Sequence, residues 1–192
     1  MNAGHASEGR IVLVGGSVRS GKSAYALVRA RSLGPRRVFL ATARAYDEEL
    51  AERIRRHQAE RAGDGFTTIE EPVALVEALE RVPPCDVVVI DCVTLWLANL
   101  LVDGVAPGEI ERRAAGLAAA LRRSPRDVVV VTNEVGMGVH PETALGRTFR
   151  DLAGRAHQAL ARAADEIHLA VLGALLRIKP GPVEAHFPGD QL

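Results

Sequence analysis

Two cysteines in 192 residues, Cys85 and Cys92, are too few and too differently placed for a disulfide scaffold or a zinc site. Each flanks or lies in an apolar, strand-like run, where a thiol serves as a small buried hydrophobe. Net charge is missing as well. Lys+Arg and Asp+Glu stand at 24 each, which leaves no overall field to draw in nucleic acid or an acidic membrane. No stretch approaches the roughly 18 consecutive apolar residues of a membrane span. Residues 1–9 have no apolar signal core and read as a loose tail, so the expected location is the cytoplasm. Repeats and low-complexity linkers are absent, and the length fits a single domain over residues 10–192.

What is present is organised around Arg10 to Ser23, RIVLVGGSVRSGKS. An apolar strand, Ile11 to Val14, leads into Gly16-x4-Gly21-Lys22-Ser23, and a helix follows from Ala24 to Arg31. Strand, glycine-rich loop and helix in that order define a phosphate-binding loop. Glycines let backbone N–H groups curl round phosphate oxygens, and the helix N-terminus adds partial positive charge. In such a loop Lys22 places a point charge at the β- and γ-phosphates, and the Ser23 hydroxyl ligates Mg²⁺. The expected ligand is a nucleoside triphosphate.

Downstream, apolar runs alternate with helical patterns. Strands are expected at Arg37–Ala43, Asp86–Asp91, Asp127–Thr132 and Glu166–Leu172, with a short extended piece at Phe66–Glu70. Helices are expected at Tyr46–Arg61, Val73–Arg81, Thr94–Val102, Glu109–Arg123 and Ala144–Ala164, and the tail after Arg177 offers at most a short hairpin. This alternation implies an α/β fold, a mostly parallel central sheet with helices on both faces. Ligands of such folds sit at the carboxyl ends of the strands, where the phosphate loop, Thr42, Asp91 and Asn133 fall.

Asp91 ends a buried strand and, given the phosphate loop, reads as an acidic Mg²⁺ partner in preference to a strand-end cap of the next helix. His57 lies four residues from both Arg53 and Arg61, so cationic side chains flank it on a helix surface. Such neighbours keep an imidazole neutral, as a nucleophile requires. Spacing alone still reads as a solvated basic face. Asn133-Glu134, followed by Gly136 and Gly138, has the make-up of a functional loop, and Glu134 is a positional candidate for a general base. Arg147 and Arg150 read equally as phosphate contacts or solvated charges, and Trp96 reads as packing.

Taken together, GGSVRSGKS (15–23), FLATA (39–43), DEELAERIRRHQAER (47–61), TTIEEP (67–72), DCVTLWLANLL (91–101), VTNEVGMGVHP (131–141) and the stretch 147–173 resemble the bifunctional adenosylcobinamide kinase/adenosylcobinamide-phosphate guanylyltransferase family of cobalamin biosynthesis. The resemblance covers nearly the whole chain and implies a P-loop NTPase-like fold with two reactions. ATP or GTP phosphorylates the aminopropanol hydroxyl of adenosylcobinamide. A histidine then attacks the α-phosphorus of GTP, and the resulting GMP-histidine passes its guanylyl group to the substrate phosphate. By the pattern Arg53-Ile54-x-x-His57, that histidine is His57.

The resemblance further implies triphosphate contacts from Gly16, Ser17, Val18, Arg19, Ser20, Gly21, Lys22 and Ser23, and nucleotide contacts from Ala41, Thr42, Ala43 and Arg61. Glu70 and Asp91 match acidic positions of the GTP site, and Ser23 and Asp91 would hold Mg²⁺. A homotrimer is implied too. The chain departs from the family pattern at Phe66 (often tryptophan), His140 (usually aliphatic) and His157 (usually asparagine). Two rival classes remain at this level: a small-molecule kinase without guanylyl transfer, and a nucleotide-driven switch or motor.

Overall fold

A computed structural model describes residues 9–45, 48, 52, 55, 58 and 63–186, the last three by backbone alone. Eight strands form one sheet: β1 (Ile11–Gly16), β2 (Arg37–Ala41), β3 (Phe66–Glu70), β4 (Val87–Asp91), β5 (Asp127–Val131), β6 (Glu166–Val171), β7 (Ala174–Lys179) and β8 (Glu184–His186). Their order across the sheet is β3-β2-β4-β5-β1-β6-β7-β8. The first six are parallel, and β7 and β8 add antiparallel strands at one edge. The helices are α1 (Lys22–Leu33), α2 (Leu75–Arg81), α3 (Val93–Val102), α4 (Pro107–Arg122) and α5 (Ala144–Ala163). Most of the expected helix over residues 46–61 lies outside the described residues, but Glu48, Glu52, Arg55 and Gln58 within it are helical.

The unbroken Val/Ile runs of the central strands are buried on both faces, as parallel strands between two helical layers must be. Alternate residues sort to opposite sides. Ile11, Leu13, Leu40, Ile90 and Val130 meet the inner faces of α2 to α5, where Leu79, Trp96, Leu100, Leu117, Leu121 and Leu160 are buried. Val12, Val14, Phe39, Val89 and Val131 face the other way, onto Tyr25, Ala26 and Ala30 of α1. Trp96 is 1 % exposed, and its indole N–H donates to the Val73 carbonyl at 2.8 Å, so it is packing as expected.

Most boundaries shift by a residue or two, and two of the shifts have identifiable reasons. β2 ends at Ala41 rather than Ala43, because the Thr42 side chain turns inward to bond the neighbouring strand end. β6 ends at Val171, and Leu172 and Gly173 form a two-residue turn with φ of 50° and 79°. That turn sends the tail back as β7 and then β8, a larger antiparallel addition than a short hairpin. Positive φ at both central residues matches the right-handed twist of paired strands.

Candidate active site

Five parallel strands deliver the predicted polar residues to one edge of the sheet. Glu70 ends β3, Ala41 ends β2 with Thr42 and Ala43 following, Asp91 ends β4, Asn133 and Glu134 follow β5, and Gly16, the last residue of β1, opens the phosphate loop. β5 lies between β4 and β1, which puts Asn133 and Glu134 between the Asp91 strand and the phosphate-loop strand.

Close approach of backbone dictates the loop's first glycine. A Cβ on Gly16 would stand 2.7 Å from the Ala170 carbonyl oxygen and 2.7 Å from Ser20 Oγ. Arg19 and Gly21 take left-handed φ values of 57° and 90°, the kind of alternation that turns successive N–H groups into a concave anion nest. Lys22 is the first residue of α1 and only 8 % exposed; its ammonium donates to the Ser17 carbonyl at 3.1 Å, across the loop. Ser20 Oγ is buried and has no hydrogen-bond partner among the described residues. A buried, unpartnered hydroxyl within the loop, together with a lysine whose ammonium donates to a neutral carbonyl, is a donor set for phosphate oxygens.

Asp91 sits against a polar knot. Cys92 N donates to Thr42 Oγ1 at 2.8 Å, and Thr42 Oγ1 donates back to the Cys92 carbonyl at 2.8 Å. Asn133 Nδ2 donates to Thr94 Oγ1 at 3.0 Å, and Thr94 Oγ1 lies 3.2 Å from Cys92 Sγ. Asn99 Nδ2 donates to the carbonyls of Thr42 and Pro72. These bonds fix the ends of β2, β4 and β5 to one another. Burial, then the Asp91 carboxylate, push the Cys92 thiol up to about 11, partly opposed by hydrogen bonds from Thr94 and the Leu95 backbone and, least, by the Lys22 ammonium. The fully buried Thr42 hydroxyl is committed to Cys92, so a ligand at this strand end would meet backbone rather than that side chain.

The donor set also fits Mg²⁺. Among the described residues no group of three or more His, Cys, Asp and Glu side chains forms a metal cage. Mg²⁺ in nucleotide sites takes one or two protein oxygens and completes its shell from phosphate and water, which the Ser23 hydroxyl and the Asp91 carboxylate can provide.

At the far edge, Glu70 is exposed and accepts a hydrogen bond from Gln58 Nε2. Glu71 accepts from the N–H groups of Val73 and Ala74 at 2.9 and 2.7 Å, fixing the turn into α2. Arg44 forms a two-pronged ion pair with Asp103 at 2.6 and 2.8 Å, which anchors the chain just after Ala43. His57 and Arg61 lie outside the described residues.

One cluster was only partly visible in the sequence. His157 on α5 places Nε2 2.7 Å from Thr132 Oγ1 and Nδ1 3.8 Å from Glu134 Oε2. Glu134 N donates to the Gly16 carbonyl at 2.9 Å, joining the loop after β5 to the first residue of the phosphate loop. The available signal was positional: a polar residue following a buried strand, with a long amphipathic helix returning across that strand's end. Arg147 donates to the carbonyls of Pro141 and Glu142, and Arg150 contacts His140, so both arginines brace the loop 133–143.

A family model described as cobinamide kinase / cobinamide phosphate guanyltransferase matches residues 12–178. The chain belongs to this family. It is 40% identical over 184 residues to the bifunctional adenosylcobalamin biosynthesis protein CobU of Escherichia coli, covering 88% of this chain and 99% of that one. It is 38% identical over 183 residues to the protein of the same name from Salmonella typhimurium, with 88% and 99% covered. Similarity to the bifunctional adenosylcobalamin biosynthesis protein CobP of Pseudomonas aeruginosa is 36% over 172 residues, with 89% and 98% covered. The CobU family is P-loop NTPase-like, in keeping with the α/β sheet and the loop at the end of β1. No described helix is long and apolar enough to cross a membrane.

Proposed function

We propose that this chain phosphorylates the aminopropanol hydroxyl of adenosylcobinamide with ATP or GTP, then transfers GMP from GTP to the new phosphate to give adenosylcobinamide-GDP. The observation that carries the reading is the phosphate nest at the carboxyl edge of the sheet, in a chain whose family is described by both activities.

In the kinase step Lys22 and the N–H groups of residues 16–23 hold the triphosphate, and the buried lysine gains strength from its low-dielectric surroundings. Ser23 and Asp91 would hold Mg²⁺, which would supply positive charge to offset that of the phosphates. In the guanylyl step His57 attacks the α-phosphorus, and pyrophosphate leaves with the bond's electron pair. A substrate phosphate oxygen then displaces the histidine from phosphorus. Two displacements at phosphorus replace one between two anions. Ala41, Thr42, Ala43, Arg61, Glu70 and Asp91 border the nucleotide in this reading. In support, Gln58, next in sequence to His57, is tied to Glu70 at the carboxyl end of β3. The proposed assembly is a homotrimer in the cytoplasm, with no nucleic-acid partner.

The test is incubation with α-labelled GTP and Mg²⁺, followed by denaturation. Acid-labile, alkali-stable label on the protein that is lost in His57→Ala supports the guanylyl-histidine. An unlabelled protein that still binds GTP and phosphorylates cobinamide would reduce the activity to a kinase.

A further inference from the structure

The loop after β5 contains an acid whose orientation is fixed from both sides. Glu134 Oε1 accepts the Gly136 N–H at 2.5 Å, and Oε2 faces His157 Nδ1 at 3.8 Å. The Glu134 backbone is itself pinned to the Gly16 carbonyl. Glu134 thus stands beside the phosphate loop, just past the end of the strand that separates that loop from Asp91. Its side chain is partly exposed, which leaves it accessible to a substrate, whereas His157 is largely enclosed.

The tautomer of His157 follows from its two neighbours. An unprotonated Nδ1 would point a lone pair at a carboxylate, which is repulsive. A proton on Nδ1 presents a positive dipole end to Oε2, and Nε2 is then free to accept from the Thr132 hydroxyl at 2.7 Å. Burial lowers the imidazole pKa, with the Glu134 charge opposing, so the ring is neutral near pH 7.

We infer that Glu134 accepts the proton of the substrate hydroxyl in the kinase step, and that the Thr132–His157 pair is a positioning device for that carboxylate. The inference rests on the kinase reading above. As the substrate oxygen bonds to the γ-phosphorus, its O–H bond breaks and the proton passes to Glu134. The bond between γ-phosphorus and its bridging oxygen breaks with its electron pair leaving on the nucleoside diphosphate, and the proton is later released to water. Only Glu134 touches the reacting hydroxyl. His157 acts through it, which explains why a residue with an N–H donor is suitable at position 157, where the resemblance leads one to expect asparagine.

The experiment measures initial rates of cobinamide phosphorylation by the full-length protein, with GTP affinity from equilibrium dialysis. Glu134→Gln is expected to lower kcat by about 10²–10⁴-fold, the usual contribution of a general base, with GTP affinity within about threefold of wild type. His157→Leu should lower kcat about tenfold with little change in KM, and His157→Asn should restore at least half of the wild-type value, since a restored donor is worth about one hydrogen bond to a charged group. An unchanged kcat in Glu134→Gln would overturn the inference. So would equal losses in the Leu and Asn variants, or a loss of GTP binding that parallels the loss of rate. A wild-type protein that accepts guanylyl label but never phosphorylates cobinamide would overturn the kinase reading itself.

Discussion

Thr42 and Cys92 exchange two hydrogen bonds of 2.8 Å, the threonine hydroxyl accepting from the Cys92 N–H and donating to its carbonyl. The side chain here adds to the backbone ladder, next to the Thr42 N–H that donates to the Asp91 carbonyl at 3.1 Å. The pair joins the end of β2 to Cys92, the residue that follows Asp91.

Thr42→Val keeps the shape and removes the hydroxyl. The Cys92 carbonyl retains the Trp96 N–H at 3.2 Å, but the Cys92 N–H loses its acceptor in a buried place. Leaving such a donor unsatisfied costs about 1–3 kcal/mol. For a chain of this size that lowers Tm by roughly 2–4 °C per kcal/mol. Thr42→Ser should retain most of the stability. Thermal denaturation of the two variants checks this; equal Tm values for Val and Ser would show that the reciprocal pair contributes nothing.

Acid sensitivity should begin well above the carboxylate range. His168 is buried beside Tyr25, with Oη 3.3 Å from Nδ1, and beside Glu166. Burial lowers its pKa, outweighing Glu166, and burial lowers that of His157 in the same way. In the unfolded chain both titrate near the ordinary histidine value of about 6.5. Between that value and the depressed folded values, the unfolded state binds more protons, so stability rises with pH. The stabilisation is complete above about pH 6.5 and is lost as pH falls through the folded pKa values. A second acid loss follows lower down. Burial raises the pKa of Glu166 and Asp165, but it is outweighed by Arg29, His168 and Arg10 together at Glu166, and by the Ile11 N–H, Arg122 and Lys179 together at Asp165, so both are held below their ordinary values. Tm measured from pH 8 to 5 should fall below neutrality, with a shallower slope in His168→Gln. A flat profile over that range would contradict the burial of both rings.

The sequence carried much of the fold because the central strands are unmixed Val/Ile runs and because glycine or proline breaks most helices. Phe66–Glu70 was legible as an extended piece, and α3 as apolar packing, since Trp96 and its neighbours leave no polar face. Strand order was not legible: nothing local says that β5 lies between β4 and β1, and that insertion is what brings Glu134 beside Gly16. The role of Thr42 was hidden for a related reason. Its partner lies fifty residues away, and a threonine after a strand reads equally well as a ligand contact. His157 could be seen only as a departure from the family pattern, because its two partners belong to a different element.

The Leu172–Gly173 turn escaped sequence reading because leucine seldom adopts a left-handed φ. It does so here at 50°, with the side chain 98 % exposed. For an ordinary L-residue this conformation costs roughly 1–2 kcal/mol, whereas asparagine and glycine occupy it readily. Among the described residues Leu172 gains no compensating burial, so Leu172→Asn should stabilise the isolated protomer by about 0.5–1 kcal/mol, read as a higher urea midpoint at unchanged slope. A lower midpoint that also depends on protein concentration would mean the opposite: that the leucine is covered by another copy of the chain, and that the strained turn is maintained by what it buries there.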